Sequence, residues 1–187
     1  MCRALELVEL RCDRIVTALA SARIPYAIIG GQAVKHWVES VDEGAGRNTP
    51  NTDALICRAD VARAISALCE ARFDCCEEKG HIKLKDRDRP TESKLVPVDG
   101  FILIEGERFR DDDLEVAPQV TDCIESPRFR FLLLEPLVKM KLVRFRIVDR
   151  VHFRDLMGVG LVDETWPEKF PAELACRLKE VLDDPIG

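Results

Sequence analysis

Gly30 and Gly31 end the apolar run IPYAIIGG, and Asn51 and Asp53 open a second apolar run in RNTPNTDALI. These residue types suit a definite chemistry. Phosphates need backbone N–H donors with nothing bulky in front of them. Glycines at a strand-to-helix turn supply such donors, and the helix N-terminus adds favourable partial charge. Moving a nucleotide from a triphosphate to a hydroxyl further asks for two metal ions about 3.5–4 Å apart, held by carboxylates from one face of a strand. Residues i and i+2 of a strand share a face, so Asp-x-Asp beside the glycine turn is the minimal apparatus. Here the first of the two positions is Asn51. An amide keeps one neutral carbonyl oxygen but loses the charge and the second metal-binding oxygen, which weakens a site for a hard cation such as magnesium.

The two segments together resemble the nucleotidyltransferase superfamily related to DNA polymerase beta, whose small bacterial members carry GG, a helix, and then R-x-T-x-D-h-D-h-h with h apolar. On that pattern Arg47 takes the place of the Arg and Thr49 that of the Thr. Asn51 stands at the first Asp, Thr52 at the apolar residue and Asp53 at the second Asp, with Leu55 and Ile56 in the strand. Downstream, LEPLVKMKLVRFRIVDRVHFRDL resembles the helix that follows the catalytic sheet, with Lys141 at the position associated with the triphosphate. The resemblance covers about half of the chain.

It implies nucleoside monophosphate transfer from an NTP to an acceptor left open, by in-line displacement with Mg2+ bound alongside the NTP. The implied catalytic and metal-holding set is Asn51, Asp53 and Asp99; the implied nucleotide-binding set is Gly30, Gly31, Arg47, Thr49 and Lys141. Asp99 enters because the family uses a third carboxylate on a later strand. It also reads as a turn residue before Gly100, and Glu105 is the second choice. Three readings stay open: an enzyme that tolerates Asn51 or recruits Asp42 or Glu43, a degenerate member that binds a nucleotide or a protein partner without chemistry, and a plain glycine turn that binds neither. Arg47 and Thr49 either contact phosphate or hold their loop against the strand. Asp149, His152 and Asp155, at helical spacing, read as capping and surface contacts.

The elements that must position these residues follow from periodicity. Leu5, Val8, Cys12, Ile15, Val16 and Leu19 mark an amphipathic helix. IPYAIIGG reads as a buried strand, QAVKHWVESV as the helix leaving the glycines, and DEGAGRNTPN as a loop. TDALIC is the next strand, with Asp60 placed to cap the helix VARAISALCEA. RFDCCEEKGHIKLKDRD makes two strands turning at Lys79-Gly80, and KLVPVDGFILIEGERF adds another. Helices are expected over LVKMKLVRFRIV, over DRVHFRDLMGVG and from Pro171 onward. The expectation is an α/β chain with a polymerase beta-like nucleotidyltransferase core, a mixed sheet flanked by helices, followed by C-terminal helices. It is one domain over 1–187, with the core and N-terminal helix in 1–130 and the helical part in 131–187.

Bulk properties narrow the partners. The 187 residues are 47% hydrophobic and 33% charged, the balance of a globular protein. The net charge of -6 disfavours bulk nucleic-acid binding. Seven basic residues against two acidic ones between Arg128 and Arg150 leave a seat for a small polyanion. No run approaches the about 20 apolar residues of a membrane span, and MCRALELVELRCDRIVTALA mixes charges where a secretion signal is apolar; a cytoplasmic protein is expected. The eight cysteines include no CxxC pair and read as small buried thiols of a reducing compartment.

Overall fold

The strand Tyr26–Ile29 (β1) is buried along its whole length, so its continuous apolar sequence has protein on both faces. The structure, a computed structural model, describes residues 2–88 and 98–184, with side chains from Leu7 onward. Before β1 runs the helix Cys2–Ser21 (α1); after it come Gly30–Glu39 (α2), Asp53–Ile56 (β2) and Val61–Glu70 (α3). The hairpin Phe73–Glu78 (β3) and His81–Asp86 (β4) precedes Gly100–Ile104 (β5), Cys123–Glu125 (β6) and Arg130–Leu132 (β7). Three helices close the chain: Leu134–Arg144 (α4), Ile147–Gly158 (α5) and Ala172–Asp183 (α6).

The seven strands form one mixed sheet in the order β3-β4-β5-β2-β1-β7-β6. β1 and β2 are antiparallel, while β2 with β5 and β1 with β7 are parallel. The registers Ile29↔Asp53, Ala54↔Ile102 and Lys83↔Phe101 place Ile29, Asp53, Phe101 and Lys83 side by side in one row. Their side chains share a face, and those of Ile28, Ala54, Ile102 and Ile82 share the other. The second row is completely buried. α1 packs on α3, and α2 packs with α4 and α5. One apolar core runs from Cys12 and Ile15 of α1 through the sheet to Leu174, Leu178 and Val181 of α6. Each large side chain buried there contributes about 1.5–3 kcal/mol.

Several expectations are corrected in detail. The helix after Pro136 does not run to Val148, because Phe145 takes a left-handed conformation (φ 44°) and ends α4. α5 then starts anew at Ile147, with the Arg146 amide donating to the Asp149 carboxylate, 3.1 Å. Asp60 does not cap α3; it pairs with Arg63 instead. The short strands β6 and β7, three residues each, carry too little alternation to be read in advance. Among the seven described cysteines only Cys12 is buried, Cys76 and Cys176 being exposed and the rest half-buried. Residues 94–97 of the expected strand before Asp99, and the side chains of Cys2 and Leu5, lie outside the described residues.

Candidate active site

The site begins where β1 ends. Gly30 adopts φ +68°, a conformation costly for other residues, and it starts α2 directly at the strand end. A Cβ on Gly30 would lie 2.5 Å from Asp53 Oδ2, and one on Gly31 would lie 2.7 Å from Thr49 Oγ1. Both glycines are therefore required for the turn to lie against β2 and the loop before it. Gly100 has the same kind of duty one strand away, where a Cβ would overlap the Thr52 carbonyl oxygen.

Over this turn lies a cavity of about 650 Å³. Gly30, Gly31, Thr49, Asn51 and Asp53 line one end, facing Lys141, Arg146, Asp149 and His152 from α4 and α5. Phe101, beside Asp53, together with Leu103, Phe109, Pro118 and Met140 adds an apolar wall. A shallower groove of about 790 Å³ runs along α1 and α3, away from the glycine turn.

Asp53 is anchored by the Phe101 amide, which donates to Oδ1 at 3.0 Å. Removal from water pushes its carboxyl up to about 6, against that hydrogen bond and the charges of Lys141 and Arg146. Asn51 faces the same cavity, and its Oδ1 is buried without a hydrogen-bond partner. Lys141 is only 4% exposed. Its Nζ donates to His152 Nδ1 at 2.8 Å and lies 3.5 Å from Asp149 Oδ1. Burial lowers the Lys141 ammonium from its usual range, with Asp149 opposing. Burial also lowers His152, to about 4, and the Lys141 charge adds to the effect. For Asp149, burial works upward but the Arg146 hydrogen bond and the Lys141 charge outweigh it, holding the carboxyl below the usual range. Arg146 Nε completes the cluster at 2.8 Å from Asp149 Oδ2.

The structure thus brings Gly30, Gly31, Thr49, Asn51, Asp53 and Lys141 to one cavity. Two expected residues are elsewhere. Asp99 is 2% exposed at a bend before β5, with Oδ1 3.2 Å from Arg11 Nη2 and Oδ2 accepting the Asp86 amide at 2.9 Å. That pairing with α1 turns it from the cavity, while its backbone continues the sheet, the Asp99 amide donating to the Leu84 carbonyl and the Thr52 amide to the Asp99 carbonyl. Arg47, 60% exposed, grips Asp155 of α5 with two hydrogen bonds of 3.0 and 2.9 Å and holds its loop rather than facing the cavity. Glu105 accepts the Val120 amide at 2.9 Å.

Phe101, Arg146, Asp149 and His152 were not singled out for the site from sequence. For Phe101 the available signal was its place two residues after Asp99, within the apolar run GFILI. For Asp149 and His152 it was their helical spacing, which does not tell a buried face from a surface one. Five of the seven basic residues between Arg128 and Arg150 are paired with acids other than Asp149: Arg128 with Asp13, Arg130 with Glu125, Lys139 with Glu115, Arg144 with Asp113 and Arg150 with Glu180.

The residues present do not fit a pair of magnesium ions. Along its row Asp53 is flanked by Ile29 and Phe101, and along its strand by Asn51, so the sheet offers one carboxylate where two ions need several, and Asp149 across the cavity is already paired with Lys141 and Arg146. Among the described residues no group of three or more His, Cys, Asp or Glu side chains gathers to hold a metal ion. Likewise, no helix among them is long and apolar enough to cross a membrane.

Similarity to known proteins lies in the fold. No protein-family model matches the sequence, and no curated protein matches it. Among solved structures, ANT(2")-Ia in complex with adenylyl-2"-tobramycin superposes with a TM-score of 0.56 at 16% identity, over 94% of this chain and 98% of that one. A candidate nucleotidyltransferase from H. pylori gives 0.53 at 17% identity, over 97% and 77% of the two chains. JHP933 from Helicobacter pylori gives 0.52 at 18% identity, over 97% and 74%. On these superpositions and its mixed seven-stranded sheet, this chain has the nucleotidyltransferase fold.

Proposed function

We propose that the cavity binds a nucleoside triphosphate and that two-metal transfer has been lost, leaving a nucleotide-binding module. The observation that carries this is the row Ile29–Asp53–Phe101 with Asn51 beside it: the phosphate-facing glycines are kept, and the carboxylates that would serve a second ion are not. In this reading Gly30 and Gly31 offer backbone donors to the phosphates, and Lys141 and Arg146 supply positive charge from the facing helices. Magnesium enters only as a counter-ion carried by the phosphates, meeting Asp53 and the unpartnered oxygen of Asn51. The ANT(2")-Ia structure, which holds an adenylylated product, supports a nucleotide as ligand of this fold.

The test is calorimetric binding of ATP with and without magnesium, to the natural protein and to Asn51→Asp, with pyrophosphate release followed in parallel. The natural protein binds ATP and releases no pyrophosphate with a panel of hydroxyl and amine acceptors. Asn51→Asp tightens the magnesium-dependent part of binding. Sustained pyrophosphate release by the natural protein would make it an enzyme, and negligible binding by both proteins would remove the nucleotide.

A further inference from the structure

The apolar wall that starts beside Asp53 differs in kind from the glycine turn. Phe101 stands beside Asp53 on the neighbouring strand, half-buried, and lines the cavity. Its ring is held edge-on against Phe109 (centroids 5.4 Å apart, planes at 78°) and against His81 (5.5 Å, 61°). Phe109 itself has a partner on each face, since His81 stacks on it at 4.3 Å and the Arg144 guanidinium lies over it at 4.1 Å. A ligand ring therefore finds Phe109 taken and Phe101 braced in a fixed orientation. Met140 on α4 lines the cavity too, and its thioether adapts to a flat ring.

The acids along this wall do not make it a seat for a polycation. Asp113 pairs with Arg144, Glu115 with Lys139 and Glu107 with Arg58, so their charge is largely spent within the protein. What remains next to the glycine turn is a mainly apolar wall, with Asp122 and Glu135 the other acids of the lining besides Asp53 and Asp149, and it suits a molecule that carries a flat apolar ring beside its phosphates.

We propose that this wall, with Phe101 as its stacking surface, seats the base of the bound nucleotide. The proposal rests on the reading of the cavity as a nucleotide site and adds which part of the molecule goes where. Position 101 is then a specificity-determining residue: it selects a nucleotide over a bare polyphosphate. The shared chemistry is an aromatic ring beside a phosphate chain, and the ring comes either from the nucleotide itself or from a separate molecule.

Binding of ATP and of inorganic tripolyphosphate, each by calorimetry, separates the possibilities. Phe101→Leu raises the Kd for ATP about tenfold, as loss of base–aromatic stacking does, while the Kd for tripolyphosphate stays within twofold. Phe101→Tyr keeps the ring and restores ATP affinity. Met140→Ala weakens ATP selectively as well and serves as the second variant if Phe101→Leu fails to fold, which circular dichroism reports. Equal effects on ATP and tripolyphosphate, or none on either, would overturn the proposal while leaving the nucleotide site intact. So would ATP binding insensitive to position 101 combined with Phe101-dependent binding of free indole to the ATP-saturated protein, which would assign the wall to a second molecule. If the natural protein binds neither ATP nor tripolyphosphate, the nucleotide reading fails and this one with it.

Discussion

Replacing Asp53 by Asn should make the protein more stable, and by an amount that depends on pH. The Asp53 carboxyl is pushed up to about 6 in the fold from its ordinary 3.8, so its charge is disfavoured on folding. At 1.36 kcal/mol per unit, the ionised group costs about 3 kcal/mol above pH 6. The sign follows from linkage: the folded state holds more protons than the unfolded chain between about pH 4 and 6, so this contribution to stability falls as pH rises through that window and is constant above it. Asn keeps an oxygen for the Phe101 amide and carries no charge to desolvate. With allowance for water reaching the cavity, the gain at pH 8 is about 1–3 kcal/mol, or roughly 2–10 °C in Tm for a chain of this size, and it shrinks below 1 kcal/mol by pH 4.

His152 runs the other way, since burial and the Lys141 charge lower it to about 4 from its ordinary 6.5. Its neutral form is held in the fold, so stability falls as pH drops from 6.5 toward 4. The two groups offset in the natural protein, and Asp53→Asn exposes the histidine's slope. Urea melts of the natural protein and the variant at pH 8, 6 and 4 read both quantities. A variant less stable than the natural protein at pH 8, or a difference that does not shrink on acidification, would falsify the burial argument for Asp53.

Asp99→Asn strips charge from a buried pair with Arg11, which keeps Asp86 at 3.4 Å and the Pro50 carbonyl at 3.0 Å, and lowers stability by about 1–3 kcal/mol; its Kd for ATP stays within twofold of the natural protein, because the residue does not line the cavity. Lys141→Met leaves Asp149 with Arg146 alone and removes the positive neighbour that depresses His152. Unfolding free energy falls by about 3 kcal/mol, ATP binding weakens, and the His152 titration, followed by NMR of the ring, moves up from about 4.

The glycine turn, β1, β2 and the helix between them are local patterns, and the sequence carried them whole, because one apolar run with Pro25 before it and Gly30 after it leaves little choice of conformation. The pairing of Asn51 with Asp53 was legible for the same reason. Asp99 was not, because its partner Arg11 is 88 positions away and no local rule connects them. Arg47 was lost to Asp155 likewise, across 108 positions. The break at Phe145 escaped because a left-handed aromatic carries no sequence signal, although it decides that Arg146 and Asp149 face the cavity. Phe101 illustrates the limit best: its place beside Asp53 depends on β5 pairing with β2 rather than with its own sequence neighbour alone, and that pairing is set by the assembled sheet.

The Asp53 carboxylate is fixed by the main-chain amide of residue 101 rather than by any side chain there. The anchor is therefore indifferent to which amino acid occupies that position. Mutation can trade an aromatic ring for an acid, or the reverse, without disturbing how Asp53 is held, so gain and loss of chemistry at this spot are separable from the integrity of the scaffold. A lineage could drift between catalyst and binder through single codon changes, and a protein engineer could attempt the return trip on a framework that already holds the first ligand still.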